Sequence, residues 1–151
     1  MRLILVLLMG EPHRKRSKPA ASATPRRFLV ADDGSAAAAR ARAFAVTLSA
    51  ATGARLTATY VRQPAESVEQ AESKLAATLA AASAADVECA VDIQRPVGIT
   101  NPGRRIIAAA TRHRADVIVV GARGGGLVRK LLGSVSSYVV AHAPMSVSVV
   151  R

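Results

Sequence analysis

The chain has almost no aromatic surface: aromatic residues are 3% of its 151 residues, with two tyrosines, two phenylalanines and no tryptophan. A platform that stacks unpaired bases needs such rings, so the composition argues against an RNA-recognition surface. Alanine and valine must then fill most of the core. The single cysteine, Cys89, excludes an internal disulfide and a four-cysteine zinc site. It fits a reducing compartment, and a cytoplasmic location is expected. The three histidines, His13, His113 and His142, stand far apart, so no metal site is expected. Long apolar runs are also missing. The run at residues 1–10 (MRLILVLLMG) falls short of the roughly 20 residues of a membrane span. A charged block, Glu11 to Arg16, separates it from the small residues that a signal cleavage site would need. Neither a membrane anchor nor export is expected.

Acids are scarce, with 10 against 21 basic residues, for a net charge of +11. The charge is uneven. Arg2, Arg14, Lys15, Arg16, Lys18, Arg26 and Arg27 face only Glu11 within residues 1–27, which carry +6 and leave +5 to the rest. Residues 1–25, with Pro19, Pro25 and small residues between them, are expected to be a disordered basic leader or a misassigned start. A tail of this kind attracts polyanions through charge alone, so no specific nucleic-acid partner is expected. Residues 26–151 are expected to form one domain.

Within that domain short apolar runs alternate with helical patterns. Residues 28–32 (FLVAD), 55–61 (RLTATYV), 87–93 (VECAVDI), 116–120 (DVIVV) and 145–150 (MSVSVV) read as strands. Residues 35–52, 65–85, 104–114 and 134–142 read as helices. Ser35 is a candidate N-cap and Gly53 a stop signal. In the first helix Ala37, Ala41, Phe44, Leu48 and Ala51 share a face. In the second, Val68, Ala71, Leu75 and Leu79 form the apolar stripe, with Lys74 and the glutamates off it. Asn101-Pro102-Gly103 reads as a turn that closes a loop from Gly98. The order βαβαβαβαβ indicates an α/β fold: a doubly wound parallel sheet with helices on both faces. Ligands in such folds sit at the carboxyl ends of the strands, where strand order reverses.

The stretch GARGGGLVRKLLGSVS, from Gly121 to Ser136, follows a buried strand and leads into a helix. It is not a Walker loop, because Leu127 and Val128 stand where lysine and a hydroxyl residue are needed. It is not a dinucleotide fingerprint either, since Gly124 to Gly126 lacks the final glycine and follows a late strand.

Gly121-Ala122-Arg123-Gly124 followed by Gly133-Ser134-Val135-Ser136 resembles the ATP-binding signature of the universal stress protein family. The opening run Phe28 to Ser35, with Asp33-Gly34-Ser35 at its turn, is similar to that family's first strand and turn. Ala115 to Gly121 resembles its fourth strand, and Ala141 to Val150 its closing helix and strand. The resemblance covers about residues 26–151 in order. It implies a five-stranded sheet of order 3-2-1-4-5, which brings Asp33 beside the Gly121 loop.

It further implies a site for ATP, with or without Mg2+. Asp33 would hold the adenosine end and the Val61 backbone would meet adenine. Gly121, Gly124, Gly133 and Ser134 would take the phosphates, with Val135 and Ser136 in the next turn. Ala31, Asp32, Val120 and Arg123 complete the expected nucleotide-binding set. Glycines let backbone N–H groups face an anion, and a helix N-terminus adds partial positive charge. Three departures stand out. Eight residues separate Gly124 from Gly133, where the family has nine. Asp32 places a second carboxylate beside Asp33. The Gly98 to Gly103 loop is longer than usual.

No general base or nucleophile is evident at the loop. The expectation is therefore a non-catalytic regulatory module for the stress response, with slow or partner-dependent hydrolysis left open. The alternative is a nucleotide-independent dimeric scaffold or interaction domain. A homodimer through the apolar last strand, residues 145–150, is expected, together with an unidentified protein partner.

Overall fold

The apolar runs become strands because each is bounded by a turn or a helix cap. The computed structural model describes residues 24–95, 101–122 and 132–151. The expected leader lies almost wholly outside them, as do most of the Gly98 loop and the arch from Arg123 to Lys130. The elements are β1 (Arg27–Ala31), α1 (Ala36–Thr52), β2 (Arg55–Val61), α2 (Val68–Ala84), β3 (Cys89–Gln94), α3 (Pro102–Arg112), β4 (Val117–Gly121), α4 (Ser134–His142) and β5 (Ser146–Val150). The strands pair in parallel as one five-stranded sheet of order β3-β2-β1-β4-β5.

Strand alternation divides the core. Phe28, Val30, Leu56, Ala58 and Tyr60 pack with Ala41 and Ala45 of α1 and with Ala71 and Leu75 of α2. Leu29, Ile118 and Val120 pack on the other face with Ile106, Ala109 and Ala110 of α3 and Val139 of α4. Alanines let the helices lie close to the sheet, so a nearly ring-free chain still builds a dense interior.

Three helix starts are capped by side chains. Ser35 accepts a hydrogen bond from the Ala38 N–H, and Gly53 ends α1 in the left-handed region at φ 65°. Ser67 and Gln70 form a reciprocal capping box, which starts α2 later than the apolar pattern suggests. Asn101, Pro102 and Gly103 are the start of α3 rather than a turn before it. Asn101 caps α3 by accepting from the Gly103 N–H at 2.8 Å, and Pro102 occupies its first turn. Proline suits that position, where its missing N–H would have no helical partner.

The expected stripe on α2 is also corrected. Val68 and Leu79 are exposed, and the buried face is Ala71, Leu75, Thr78 and Ala82. Thr78 is drawn inward because its hydroxyl donates to Asp32 at 2.5 Å. On α1 the buried set is Ala38, Ala41, Ala45, Val46 and Ser49, with Phe44 and Leu48 only half-buried and Ala51 exposed.

Candidate functional site

The crossover from β1 through α1 leads to β2 on one side, while β4 lies on the other. The segments leaving β1 and β4 therefore diverge at their carboxyl ends, and a crevice opens between them. A cavity of about 370 Å³ occupies that crevice. Ala31, Asp32 and Asp33 form its floor, Tyr60 and Val61 one side, Val120 and Gly121 the other, and Gly133 to Ser136 its far wall.

Ten of the residues expected from sequence line this cavity: Ala31, Asp32, Asp33, Val61, Val120, Gly121, Gly133, Ser134, Val135 and Ser136. Arg123 and Gly124 lie outside the described residues.

The two aspartates differ in role. Asp32 is buried, and its Oδ2 accepts from Arg42 Nη1 at 2.8 Å and from Thr78 Oγ1 at 2.5 Å. Its Oδ1 accepts from the Gly34 N–H at 2.9 Å. The carboxylate that looked out of place beside a phosphate is thus occupied by protein donors and neutralised by Arg42. Asp33 is exposed, and its Oδ1 accepts from the Ser35 N–H at 3.0 Å. Among the described residues, its Oδ2 has no partner, and Asp33 lines the cavity.

The far wall is the start of α4. Gly133 supplies no side-chain cap, unlike Ser35, Ser67 and Asn101 at the other described helices. Among the described residues, the first N–H groups of α4 thus carry the helix's partial positive charge without a side-chain cap. Ser136 turns back and donates to the Gly121 carbonyl at 2.8 Å, tying α4 to the end of β4.

Gly121 has a reason that sequence did not reveal. A Cβ there would stand 2.5 Å from the backbone carbon and oxygen of Ala37. Its lack of a side chain lets α1 rest on β4, whether or not a ligand approaches.

The structure also adds residues that sequence reading missed. Thr59, Tyr60, Gln63 and Lys74 line the β2 side, Ala37 and Ala38 the α1 side, and Pro102 and Ile106 the α3 side. Lys74 Nζ donates to Tyr60 Oη at 2.8 Å and pairs with Glu66 Oε1 at 2.9 Å. Tyr60 Oη donates to Glu66 Oε2 at 2.8 Å. Desolvation raises the Tyr60 pKa. The hydrogen bond from the Gln63 backbone, followed by that from Lys74, lowers the pKa of Glu66. Lys74 looked like a solvated off-stripe residue. The usable signal was its helical register with the end of β2, which only the packing of α2 on β2 makes visible.

Among the described residues no group of three or more His, Cys, Asp or Glu could hold a metal ion. None of the described helices is long and apolar enough to cross a membrane.

Comparison with known proteins gives a consistent family. The model of the universal stress protein family matches residues 24–151. A universal stress protein of Thermus aquaticus, named for its place in the 3′ region of the QAH/OAS sulfhydrylase, is 37% identical over 139 residues, covering 82% of this chain and 97% of the relative. A universal stress protein crystallised in complex with cAMP is 25% identical with a TM-score of 0.71, covering 85% of this chain and 98% of that one. The universal stress protein UspA of Lactobacillus plantarum is 28% identical with a TM-score of 0.63, covering 86% of this chain and 100% of that one.

Proposed function

The chain belongs to the universal stress protein family, and from that premise we propose that it binds an adenine nucleotide in the cavity at the carboxyl ends of β1 and β4. The bound state would then govern a partner protein or the chain's own pairing. One observation carries this reading. The ends of β1, β2 and β4 and the start of α4, far apart in sequence, converge on one cavity. That cavity joins an open carboxylate, apolar walls and an uncapped helix start. The universal stress protein structure that holds cAMP, itself an adenine nucleotide, supports it.

ATP is the finer reading. Asp33 would accept from ribose hydroxyls, and Val61, Val120 and Ile106 would flank the base. Gly133, Ser134, Val135 and Ser136 would meet phosphate through the start of α4. If Mg2+ accompanies the nucleotide, Asp33 is the described cavity carboxylate with an open oxygen, since the oxygens of Asp32 are taken by Arg42, Thr78 and Gly34. We propose binding without turnover, because the hydroxyl that Asp32 holds, that of Thr78, is buried and does not line the cavity, and Asp33 accepts from a backbone N–H.

A second reading has its own support. Gly121 is explained by its packing on Ala37 alone, as a nucleotide-independent scaffold of the same family would require. In either reading a homodimer would form through β5, which lies at the sheet edge next to β4.

Calorimetric titration with ATP, ADP, AMP and cAMP, with and without magnesium, decides between them. The nucleotide reading expects saturable heat and a raised melting temperature. No heat and no melting shift at millimolar nucleotide leaves the scaffold. Sedimentation over a range of protein concentrations tests the dimer.

A further inference from the structure

Resting on the nucleotide reading, we propose that Lys74 is a second ribose-reading residue, which pairs with Asp33 to make the cavity selective for ribonucleotides over their deoxy counterparts.

Lys74 stands beside the Asp33 turn. Its methylene chain lies 3.8 Å from the point where a side chain on Gly34 would begin, and it lines the same cavity as Asp33. Its ammonium is held in place. It bonds Tyr60 Oη and Glu66 Oε1, and it sits 4.7 Å from the centre of the Tyr60 ring. Glu66 is itself fixed by the Gln63 N–H at 2.9 Å and by Tyr60 Oη. These bonds keep the lysine charged: the one to Tyr60, then the one to Glu66, raise its pKa.

An ammonium has three N–H donors. Among the described residues two are used, which leaves a third on a side chain that lines the cavity. A donor already immobilised loses little freedom when it binds.

The pairing with Asp33 fixes the chemistry. A carboxylate accepts hydrogen bonds only, and an ammonium donates only. A ribose diol offers both, since each hydroxyl can donate its proton and accept on its oxygen. One hydroxyl can give its proton to Asp33 while the neighbouring oxygen takes one from Lys74. A sugar lacking either hydroxyl leaves one charged partner unmatched, and unmatched charged groups are what make such sites discriminate. A phosphate on the ribose would satisfy Lys74 but repel Asp33, so the free diol is the better fit.

The test is competitive titration of AMP, 2′-deoxy-AMP and 3′-deoxy-AMP. It uses the full chain and its K74M and Y60F variants. The unmodified protein is expected to bind AMP about tenfold more tightly than at least one deoxy form. K74M should bring the ratio for the hydroxyl that Lys74 reads close to one and leave the ratio for the hydroxyl that Asp33 reads. Y60F keeps the charge but removes one anchor, and should lower the first ratio part of the way even if K74M does not fold. Equal losses of affinity for all three nucleotides in K74M would overturn the proposal, as would absence of discrimination in the unmodified protein. An unchanged ratio in Y60F when K74M is unfolded would also overturn it. Failure of the protein to bind even AMP would sink the nucleotide reading itself, a distinct result from binding without discrimination.

Discussion

Gly121 and Ala37 lie so close that a methyl group on the glycine would come within 2.5 Å of the Ala37 carbonyl carbon and oxygen. Gly121→Ala must push α1 off β4. The expected loss is about 1–3 kcal/mol, the range for overpacking a dense interior. Urea unfolding measures it. Because the clash is with backbone, adding Ala37→Gly should recover little of the loss. Full recovery would show that the side chain of Ala37 was the obstacle. The displaced helix also forms one side of the cavity, so nucleotide affinity should fall together with stability.

The pair beneath the cavity floor makes a different prediction. Asp32 has a fully buried side chain, and Arg42 is 19% exposed at a distance of 2.8 Å. Among the described residues, Arg42→Met leaves the carboxylate with only Thr78 and the Gly34 N–H. Breaking a buried pair from one side costs about 3 kcal/mol or somewhat more. Asp32→Asn in the Arg42→Met background should restore part of the loss, since no uncompensated charge then stays buried. A double-mutant cycle read by denaturant midpoints checks both.

These two pairs also mark what the sequence could and could not disclose. Strand and helix order were legible because they are written in local alternation and in Ser35, Gly53 and the buried runs. The convergence of Asp33, Gly121 and Ser134 was legible through family resemblance, which supplied the strand order. The inward turn of Thr78 was not, because an apolar stripe gives a hydroxyl no reason to face the core. Its reason is Asp32, 46 residues away. The helical role of Asn101-Pro102-Gly103 was missed for a related reason. The same tripeptide suits a turn or a helix start, and only the Asn101 bond to the Gly103 N–H separates them. Gly103 also packs where a Cβ would stand 2.9 Å from the Tyr138 ring, a contact between α3 and α4 that local pattern does not encode.

Asp92 on β3 links acid stability to the docking of α3. Its Oδ2 pairs with Arg112 and lies 2.7 Å from His113 Nε2. Burial alone would raise its pKa, but the bonds from Arg112 and His113 outweigh burial and hold it below the ordinary 3.8. A carboxylate whose pKa is lower in the folded than in the unfolded state stabilises the fold above its unfolded value. That contribution is lost as pH falls through the folded value. Urea midpoints followed from about pH 6 to about pH 3 should therefore decline at the acid end. Asp92→Asn should be less stable at neutral pH and show a shallower decline. Parallel curves for the two proteins would remove Asp92 as a source of the acid sensitivity.

Asp33 and Asp32 are neighbours in sequence with opposite expected phenotypes. Asp33 is exposed and accepts the Ser35 N–H through Oδ1, a bond that an asparagine oxygen can also accept. Asp33→Asn should therefore change stability by no more than about 0.5 kcal/mol, as for a surface substitution that keeps its turn. Its effect should appear in binding. An amide accepts a ribose hydroxyl less strongly than a carboxylate does, because charge-assisted bonds are about twice as strong as neutral ones. Nucleotide affinity should fall about tenfold with the fold intact, measured by calorimetry beside a thermal melt. If Asp33→Asn unfolds the domain instead, Asp33 belongs to the framework and the ribose contact must be sought elsewhere on the cavity wall. If it leaves both melting and affinity unchanged, the open Oδ2 of Asp33 has no part in holding the ligand.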